Sequence, residues 1–160
     1  MVAGHTDIPG TDAPPMSDPT GRVGLSTTPE VSARMSRQVT RDTAPELALR
    51  RELHRRGFRF RKEWAVPGMP RRRMDIAFTR KRVAVFVDGC FWHACPAHAT
   101  APRANGAWWS AKLNKNVIRD RATDDHLTEL GWLVVRVWEH EAPDVAADRI
   151  VGALTDRPTR

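Results

Sequence analysis

Residues 83–98 read V-A-V-F-V-D-G-C-F-W-H-A-C-P-A-H, and this stretch decides the fold. It opens with an apolar run that is typical of a buried strand. The run ends at Asp88-Gly89, and two cysteines, two histidines and a Phe-Trp pair follow at once. A carboxylate at a strand end, beside metal-binding side chains and rings that can stack, indicates a nuclease.

The composition of the chain changes near residue 30. With 160 residues the chain has the length of one domain. Residues 1–30 are rich in Pro, Gly, Ser, Thr and Asp, lack apolar periodicity and carry a charge of −3. Such a segment buries too little apolar surface to offset its ordering entropy, so we expect a disordered tail. Residues 31–160 then form the folded domain.

Charge and cysteine usage limit the class of protein. The whole chain carries +7, so residues 31–160 carry +10, mostly as arginine. A basic domain favours a polyanion partner, although a solvated arginine-rich face explains the charge equally well. There is no signal peptide and no run of membrane-spanning length. Two cysteines beside histidines favour metal binding over a disulfide, and we expect a soluble cytoplasmic protein.

Apolar spacing and capping signals predict the order of the elements. Thr43-Ala-Pro-Glu46 is a capping-box pattern at the start of a helix, and Gly57 and Gly131 mark helix ends. Helices are expected at about 32–39, 43–57, 108–130 and 144–154, and strands at 58–64, 74–78, 83–87 and 132–138. This order predicts an α/β fold, a mixed sheet flanked by helices.

Two acidic residues lie on neighbouring predicted strands. Asp75 interrupts an apolar strand, and a buried carboxylate is costly unless it is paired or binds a metal. A salt bridge to Arg73 or Arg80, or the polar face of an edge strand, would also explain it. Asp88 ends the next strand, and strands about 4.8 Å apart can bring both acids to one hard cation such as Mg²⁺. Such acids beside a basic surface are suited to metal-dependent phosphodiester cleavage.

The loop after Asp88 has the spacing of a zinc site. Cys90-x4-Cys95-x2-His98 offers three ligands, and tetrahedral Zn²⁺ needs a fourth. His140, just past the last predicted strand, is the best candidate. Two free core thiols near unrelated histidines are the less favoured alternative. Three roles are open for His93: a further ligand, a plain loop residue, or a general base, for which histidine's pKa is suited.

Paired aromatic residues occur where burial does not obviously need them. Phe91-Trp92 lies on the loop and Trp108-Trp109 at a helix start. Such rings usually belong to the core. One ring of each pair could instead stack on bases or wedge between them.

Together these motifs resemble the very short patch repair (Vsr) endonucleases, which nick DNA beside a T:G mismatch. The resemblance covers about residues 34–140, and its most specific block is Gly-Cys-Phe-Trp-His at 89–93. Weaker blocks at 40–46, 74–75, 109–121 and 130–139 fall in the right order. The resemblance implies a restriction-endonuclease-like core of the PD-(D/E)xK type with a structural zinc site.

The resemblance also implies catalytic roles. Asp75 would be the principal Mg²⁺ ligand, together with the backbone carbonyl of Val87. His93 would be the general base for the attacking water. Glu46 would support the water on the metal, with its helix-capping role equally open. Asp88 stands where the best-known pattern has histidine, so it could bind the metal directly, and the number of metal ions stays open.

Further residues are implied to bind zinc and DNA. The zinc ligands would be Cys90, Cys95, His98 and His140, a set with more histidine than the family form has. An intercalating wedge and three residues near the mismatched pair would contact DNA: Phe91, Trp92, Trp109, Lys112, Asn116 and Met35.

The implied function is that of a Mg²⁺-dependent, zinc-stabilised endonuclease acting on double-stranded DNA. It would nick 5′ of the thymine in T:G mismatches, which arise when 5-methylcytosine deaminates, and so initiate very short patch repair. A DNA cytosine-5 methyltransferase would be its functional partner, and we expect a monomer. The alternatives are a restriction-like nuclease of other specificity and a non-catalytic zinc-knuckle DNA-binding module, which would not need Asp75, Asp88 and His93 together.

Overall fold

The structure is a computed structural model that describes residues 41–93, 95, 97–98 and 106–158, without the side chains of 107 and 108. These residues belong to one unit, Gln38–Arg160. The predicted tail at 1–30, the predicted helix at 32–39 and Met35 lie outside the described residues. None of the helices described is both long enough and apolar enough to cross a bilayer.

Four strands form one mixed sheet in the order β1-β2-β3-β4. The elements are α1 (Ala44–Arg55), β1 (Arg61–Val66), β2 (Met69–Phe78), β3 (Val83–Asp88), α2 (Gly106–Glu129), β4 (Leu133–Trp138) and α3 (Pro143–Thr155). β1, β2 and β3 are antiparallel neighbours, whereas β3 and β4 are parallel. A parallel pair needs a crossover connection, and α2 lies in that connection. The predicted mixed sheet flanked by helices is confirmed.

Helices cover both faces of the sheet. One core joins the sheet to α1 and α3 and contains Leu49, Leu53, Ile76, Phe78, Val83, Val85, Val137, Ala146, Ala147, Ile150 and Leu154. The other joins it to α2 and contains Val66, Met74, Ala77, Ala84, Leu127 and Trp132. Because β3 is buried on both faces, its sequence is an unbroken apolar run instead of an alternating one.

The hairpin of β1 and β2 is longer than predicted. β2 begins at Met69, so the arginines at 71–73, which fall between the predicted strands at 58–64 and 74–78, lie in a strand. Gly68 forms the turn with φ +78°, a conformation that glycine adopts without strain. Arg71 and Arg73 are exposed. In the register these arginines have β1 alone as a neighbour, because β2 pairs with β3 only at 76–78. Charged side chains are common where a strand lacks a second neighbour, and this is why a loop and a strand are hard to distinguish here.

Candidate active site and metal centre

Three carboxylates converge where the β1–β2 hairpin faces α1. Glu46, Glu63 and Asp75 each offer an oxygen, and these atoms all lie within 4.8 Å of one another. The sequence predicts Glu46 and Asp75 as site residues but not Glu63. Carboxylate oxygens are the ligands that hard divalent cations prefer, so this group fits a divalent metal ion.

Asp75 is a partly buried acid with a strongly shifted pKa. Burial raises its pKa to about 7, and the negative charges of Glu46, Glu63 and Asp88 act in the same direction. The backbone N–H of Val87 donates to Oδ2 of Asp75 at 2.7 Å and partly opposes the shift. A bound cation would reverse this shift, because it favours the charged carboxylate.

Glu46 lies at the start of α1, where Thr43 makes no side-chain capping hydrogen bond, and also beside Asp75, so its two interpretations stay predictions. Its carboxylate is buried and accepts hydrogen bonds from the backbone of Asp42 at 3.1 Å and the hydroxyl of Thr43 at 2.9 Å. Arg50 also donates to it. Glu46 therefore binds the residues just before α1 and at the same time lies beside Asp75.

Glu63 is placed by the register of the hairpin. Lys62 pairs with Ile76 and Trp64 with Met74, so Glu63 lies opposite Asp75. Its φ is +50°, which is uncommon for a residue other than glycine, and such strained residues cluster at functional sites. A single acid in a basic strand was the available signal in the sequence, but the strand register was needed to interpret it.

His93 forms a short hydrogen bond with a residue that the sequence reasoning left without a role. Its Nδ1 lies 2.6 Å from Oδ2 of Asp120 on α2. Burial alone would raise the pKa of Asp120, but His93 and Arg136 hold it below its usual value. The ionised carboxylate can only accept, so Nδ1 carries the proton and Nε2 is left as a base. Of the three roles considered for His93, this geometry favours the general base.

Asp88 is placed differently from the prediction. It is 4% exposed, and Nη1 of Arg136 donates to both of its oxygens, at 2.7 and 2.8 Å. It is not part of the acidic group around Asp75. A carboxylate held in this way has little capacity left for a metal ion, so direct metal binding by Asp88 is not supported. Sequence spacing does not reveal the Asp88–Arg136 pair, because Arg136 lies on a different strand.

The four predicted zinc ligands come together. The side chains of Cys90, Cys95, His98 and His140 place their donor atoms within 4.8 Å of one another, and both cysteines are free thiols. The Nδ1 atom of His140 is 3.0 Å from Sγ of Cys90 and 3.8 Å from Sγ of Cys95. Bonds of about 2.3 Å to sulfur and about 2.0 Å to nitrogen would place S and N about 3.5 Å apart in a tetrahedron. The group therefore fits zinc.

Backbone hydrogen bonds fold the loop that carries these ligands. The N–H of Cys95 donates to the carbonyl of Cys90 at 3.0 Å, and the N–H of His93 to that of Gly89 at 3.2 Å. Glu139 accepts from the N–H of Cys90 at 2.7 Å and so fastens the loop to the end of β4. His140 follows directly, which explains why a distant residue completes the group.

Three aromatic rings pack against one another beside the loop. Phe91 is 5.1 Å from both Trp92 and Trp109, measured between ring centroids. Phe91 and Trp92 are partly exposed, whereas Trp109 is buried. The ammonium of Lys112 lies 5.2 Å from the centre of Trp92, and Asn116 donates to the carbonyl of Trp92 at 3.2 Å. Trp109 thus supports the other two rings in the free protein.

The candidate DNA-contacting residues of α2 share one face with Asp120, the hydrogen-bond partner of His93. Trp109, Lys112, Asn116 and Asp120 recur at intervals of three or four, as neighbours on a helix surface do. This spacing was the signal that could have identified Asp120, because the first three residues were already candidates.

Comparisons with known proteins agree on one family. The family model described as DNA mismatch endonuclease Vsr matches residues 25–98. The type II nicking enzyme V.NaeI of Lentzea aerocolonigenes is 47% identical over 115 residues, which cover 70% of this chain and 69% of that protein. The DNA mismatch endonuclease Vsr of Escherichia coli K12 is 38% identical over 110 residues, 68% of each chain. The nicking enzyme V.XorIIP of Xanthomonas oryzae is 37% identical over 122 residues, 74% of this chain and 87% of the relative.

Proposed function

This chain belongs to the Vsr family of DNA mismatch endonucleases, and we propose that it nicks duplex DNA on the 5′ side of the thymine in a T:G mismatch. Deamination of 5-methylcytosine creates such mismatches, so a DNA cytosine-5 methyltransferase is the functional partner, and the nick initiates repair of bacterial chromosomal DNA. One observation carries the proposal: the acidic group around Asp75 and the His93–Asp120 pair both adjoin the end of β3.

We assign the acidic group to a divalent cation, Mg²⁺. Asp75, Glu46 and Glu63 supply oxygen atoms within 4.8 Å of one another, and the backbone carbonyl of Val87 is a further candidate ligand. The cation, when bound, supplies the positive charge that polarises the scissile phosphate. The raised pKa of Asp75 supports this assignment, because it arises from burial of the carboxyl group and from the neighbouring carboxylates, both of which a bound cation would offset.

The side chains of this protein supply the proton transfer. Asp120 holds the proton on Nδ1 of His93, so Nε2 accepts a proton from the attacking water. The water oxygen bonds to phosphorus, the P–O bond opposite it breaks, and the leaving oxygen takes a proton from solvent. Asp120 then stabilises the imidazolium, as the acid does in other His-Asp pairs.

Phe91 and Trp92 are the rings that would open the base stack. A T:G wobble keeps two hydrogen bonds, so contacts to base edges alone distinguish it poorly from a matched pair. Unstacking one step costs on the order of a few kcal/mol and costs less at a distorted pair. Trp109 supports the two rings from its buried position, and Lys112 lies against them.

Zinc, bound by Cys90, Cys95, His98 and His140, would be structural. A closed set of four ligands leaves no position for substrate. The zinc would hold the loop that presents Phe91, Trp92 and His93. A non-catalytic zinc-knuckle module would explain this group and the rings, but it leaves the His93–Asp120 pair and the acidic group without a purpose.

Three duplexes with identical flanks distinguish the candidate functions. A T:G, a T:A and a C:G duplex are incubated with the protein and Mg²⁺, and both binding and cleavage are measured. Cleavage of T:G alone is expected. Cleavage of the matched duplexes would indicate a restriction-like nuclease, and binding without cleavage a DNA-binding module. A panel of flanking sequences then defines the preferred context.

A further inference from the structure

Arg136 on β4 joins carboxylates from two other elements. Its Nη1 donates to both oxygens of Asp88 at the end of β3. Its Nε and Nη2 donate to Asp124 on α2, at 2.9 and 3.0 Å. Nη2 also lies 3.9 Å from Oδ1 of Asp120. A single guanidinium therefore ties the end of β3 to the helix that carries the partner of His93.

The guanidinium is itself held in place. It lies 5.0 Å from the ring centre of Phe86, its partner in the β3–β4 register. Burial opposes its charge, yet Asp124 and Asp88 together raise the pKa of Arg136. Two carboxylates on one planar fork are a geometry that lysine cannot reproduce.

Asp124 and Asp120 are one helical turn apart on α2, and Asp120 reaches the loop after β3 at His93. The orientation of α2 relative to the end of β3 therefore decides whether Asp120 meets the imidazole. We propose that Arg136 and Asp124 are positioning residues, which hold Asp120 at hydrogen-bonding distance from His93. Asp88 holds the guanidinium of Arg136 at the end of β3. This inference deepens the proposed nuclease function and rests on it for the role of His93.

Asp124→Asn is the most specific test. It removes the charge that holds Arg136 to α2 and leaves the buried Asp88–Arg136 pair intact. Asp125→Asn is the matched control: it makes the same charge change on the same helix, at an exposed position. Arg136→Lys is a second variant that keeps the charge and removes the fork. Parent and variants are compared with zinc bound and with equal folded fractions.

The first readout does not depend on activity. A strong Nδ1–H hydrogen bond gives a downfield proton resonance in NMR spectra, which His93→Gln assigns by its loss. We expect Asp124→Asn and Arg136→Lys to shift this resonance upfield or broaden it, and Asp125→Asn to preserve it. A parent spectrum without the resonance, or an Asp124→Asn spectrum identical to that of the control, would overturn the inference.

The second readout is the single-turnover rate of nicking at saturating enzyme. Asp124→Asn should lower the rate about tenfold with duplex affinity within twofold of the parent. In a His93→Ala background the same change should alter the residual rate less than twofold, because the group that it positions is gone. A loss of equal size in both backgrounds, or no loss in the parent, would contradict a positioning role. If the parent shows the expected resonance but does not nick T:G, the proposed function is refuted. The inference that Arg136 and Asp124 position Asp120 against His93 would still hold.

Discussion

Asp75 differs from the two acids beside it. Glu46 contacts Arg50, and Glu63 contacts Arg41 at 3.3 Å. In the described part of the chain, Asp75 accepts only the backbone N–H of Val87. Burial raises the pKa of Asp75, and an acid that contacts no cation among the described residues is suited to bind an added one.

Asp75→Asn should stabilise the protein in a pH-dependent way. The pKa of Asp75 is raised from 3.8 to about 7. The folded protein therefore favours the protonated form of Asp75. The contribution of this group to the unfolding free energy is complete below pH 3.8 and is lost as the pH rises through about 7. Without added Mg²⁺, the variant should exceed the parent in unfolding free energy by on the order of 2 kcal/mol at pH 8 and match it at pH 4. Urea unfolding at both pH values measures this, and an equal difference at both would contradict the raised pKa.

His93→Ala should separate chemistry from binding and folding. Loss of a general base typically costs about a hundredfold or more, so the nicking rate should fall by at least that factor. Duplex binding should persist, because basic side chains supply most of the affinity. Asp120→Asn should reduce the rate as well. The measurements are single-turnover nicking and zinc content, and a zinc-free, unfolded His93→Ala protein would show that His93 is a structural ligand.

At the scale of elements, the loop after β3 and one face of α2 lie together, and in the proposed function they would form one recognition surface. Phe91 and Trp92 come from the loop, and Lys112 and Asn116 from the helix. The proposed cutting and recognition roles would therefore share the same two elements, since His93 and Asp120 lie on them too.

Trp92→Ala should reduce mismatch selectivity. The variant loses the ring that unstacks the wobble, so we expect most of the preference for T:G over T:A to disappear. Trp64→Ala is the matched control, because Trp64 is exposed on β1, outside the ring cluster. Nicking rates on T:G and T:A duplexes measure the preference, and binding to unrelated duplex should keep its salt dependence. Trp109→Ala should lose selectivity and also stability, because Trp109 is buried. Unchanged selectivity in Trp92→Ala would mean that the rings are core packing.

Local patterns predicted what lies along one stretch of chain. The apolar run of β3 and the spacing of Cys90, Cys95 and His98 identified the strand and three members of the metal group. Contacts between elements were harder to foresee. The partners Asp120 and Arg136 depend on which face of α2 and of β4 meets the end of β3, and spacing within one element does not contain that information. The pairing of Asp88 with Arg136 was not foreseen for the same reason.

At the scale of the whole molecule, the candidate zinc ligands link the loop after β3 to the end of β4. They are Cys90, Cys95, His98 and His140. His140 is the distant member that closes this group. Metal binding of this kind adds directly to the free energy of folding. The group would therefore support the fold as well as the recognition loop.

Purified protein should carry about one tightly bound zinc ion per chain. Cys90→Ser and His140→Ala should lower zinc content and cooperative folding together, because each opens a closed ligand set. His126→Ala is the control, since His126 bonds the carbonyl of Pro67 away from this group. Elemental analysis and thermal unfolding give the result. Soluble, cooperatively folded parent protein without zinc would refute the assignment.

Mapping the nick on a single T:G duplex tests the central claim most directly. The thymine strand and the guanine strand are labelled separately, and the products are sized after incubation with Mg²⁺, for the parent and for Asp75→Asn. We expect one product, from the thymine strand only, ending on the 5′ side of the mispaired thymine, and none from Asp75→Asn. Cleavage of both strands, a nick in the guanine strand, or equal cleavage of the matched T:A duplex would contradict the account.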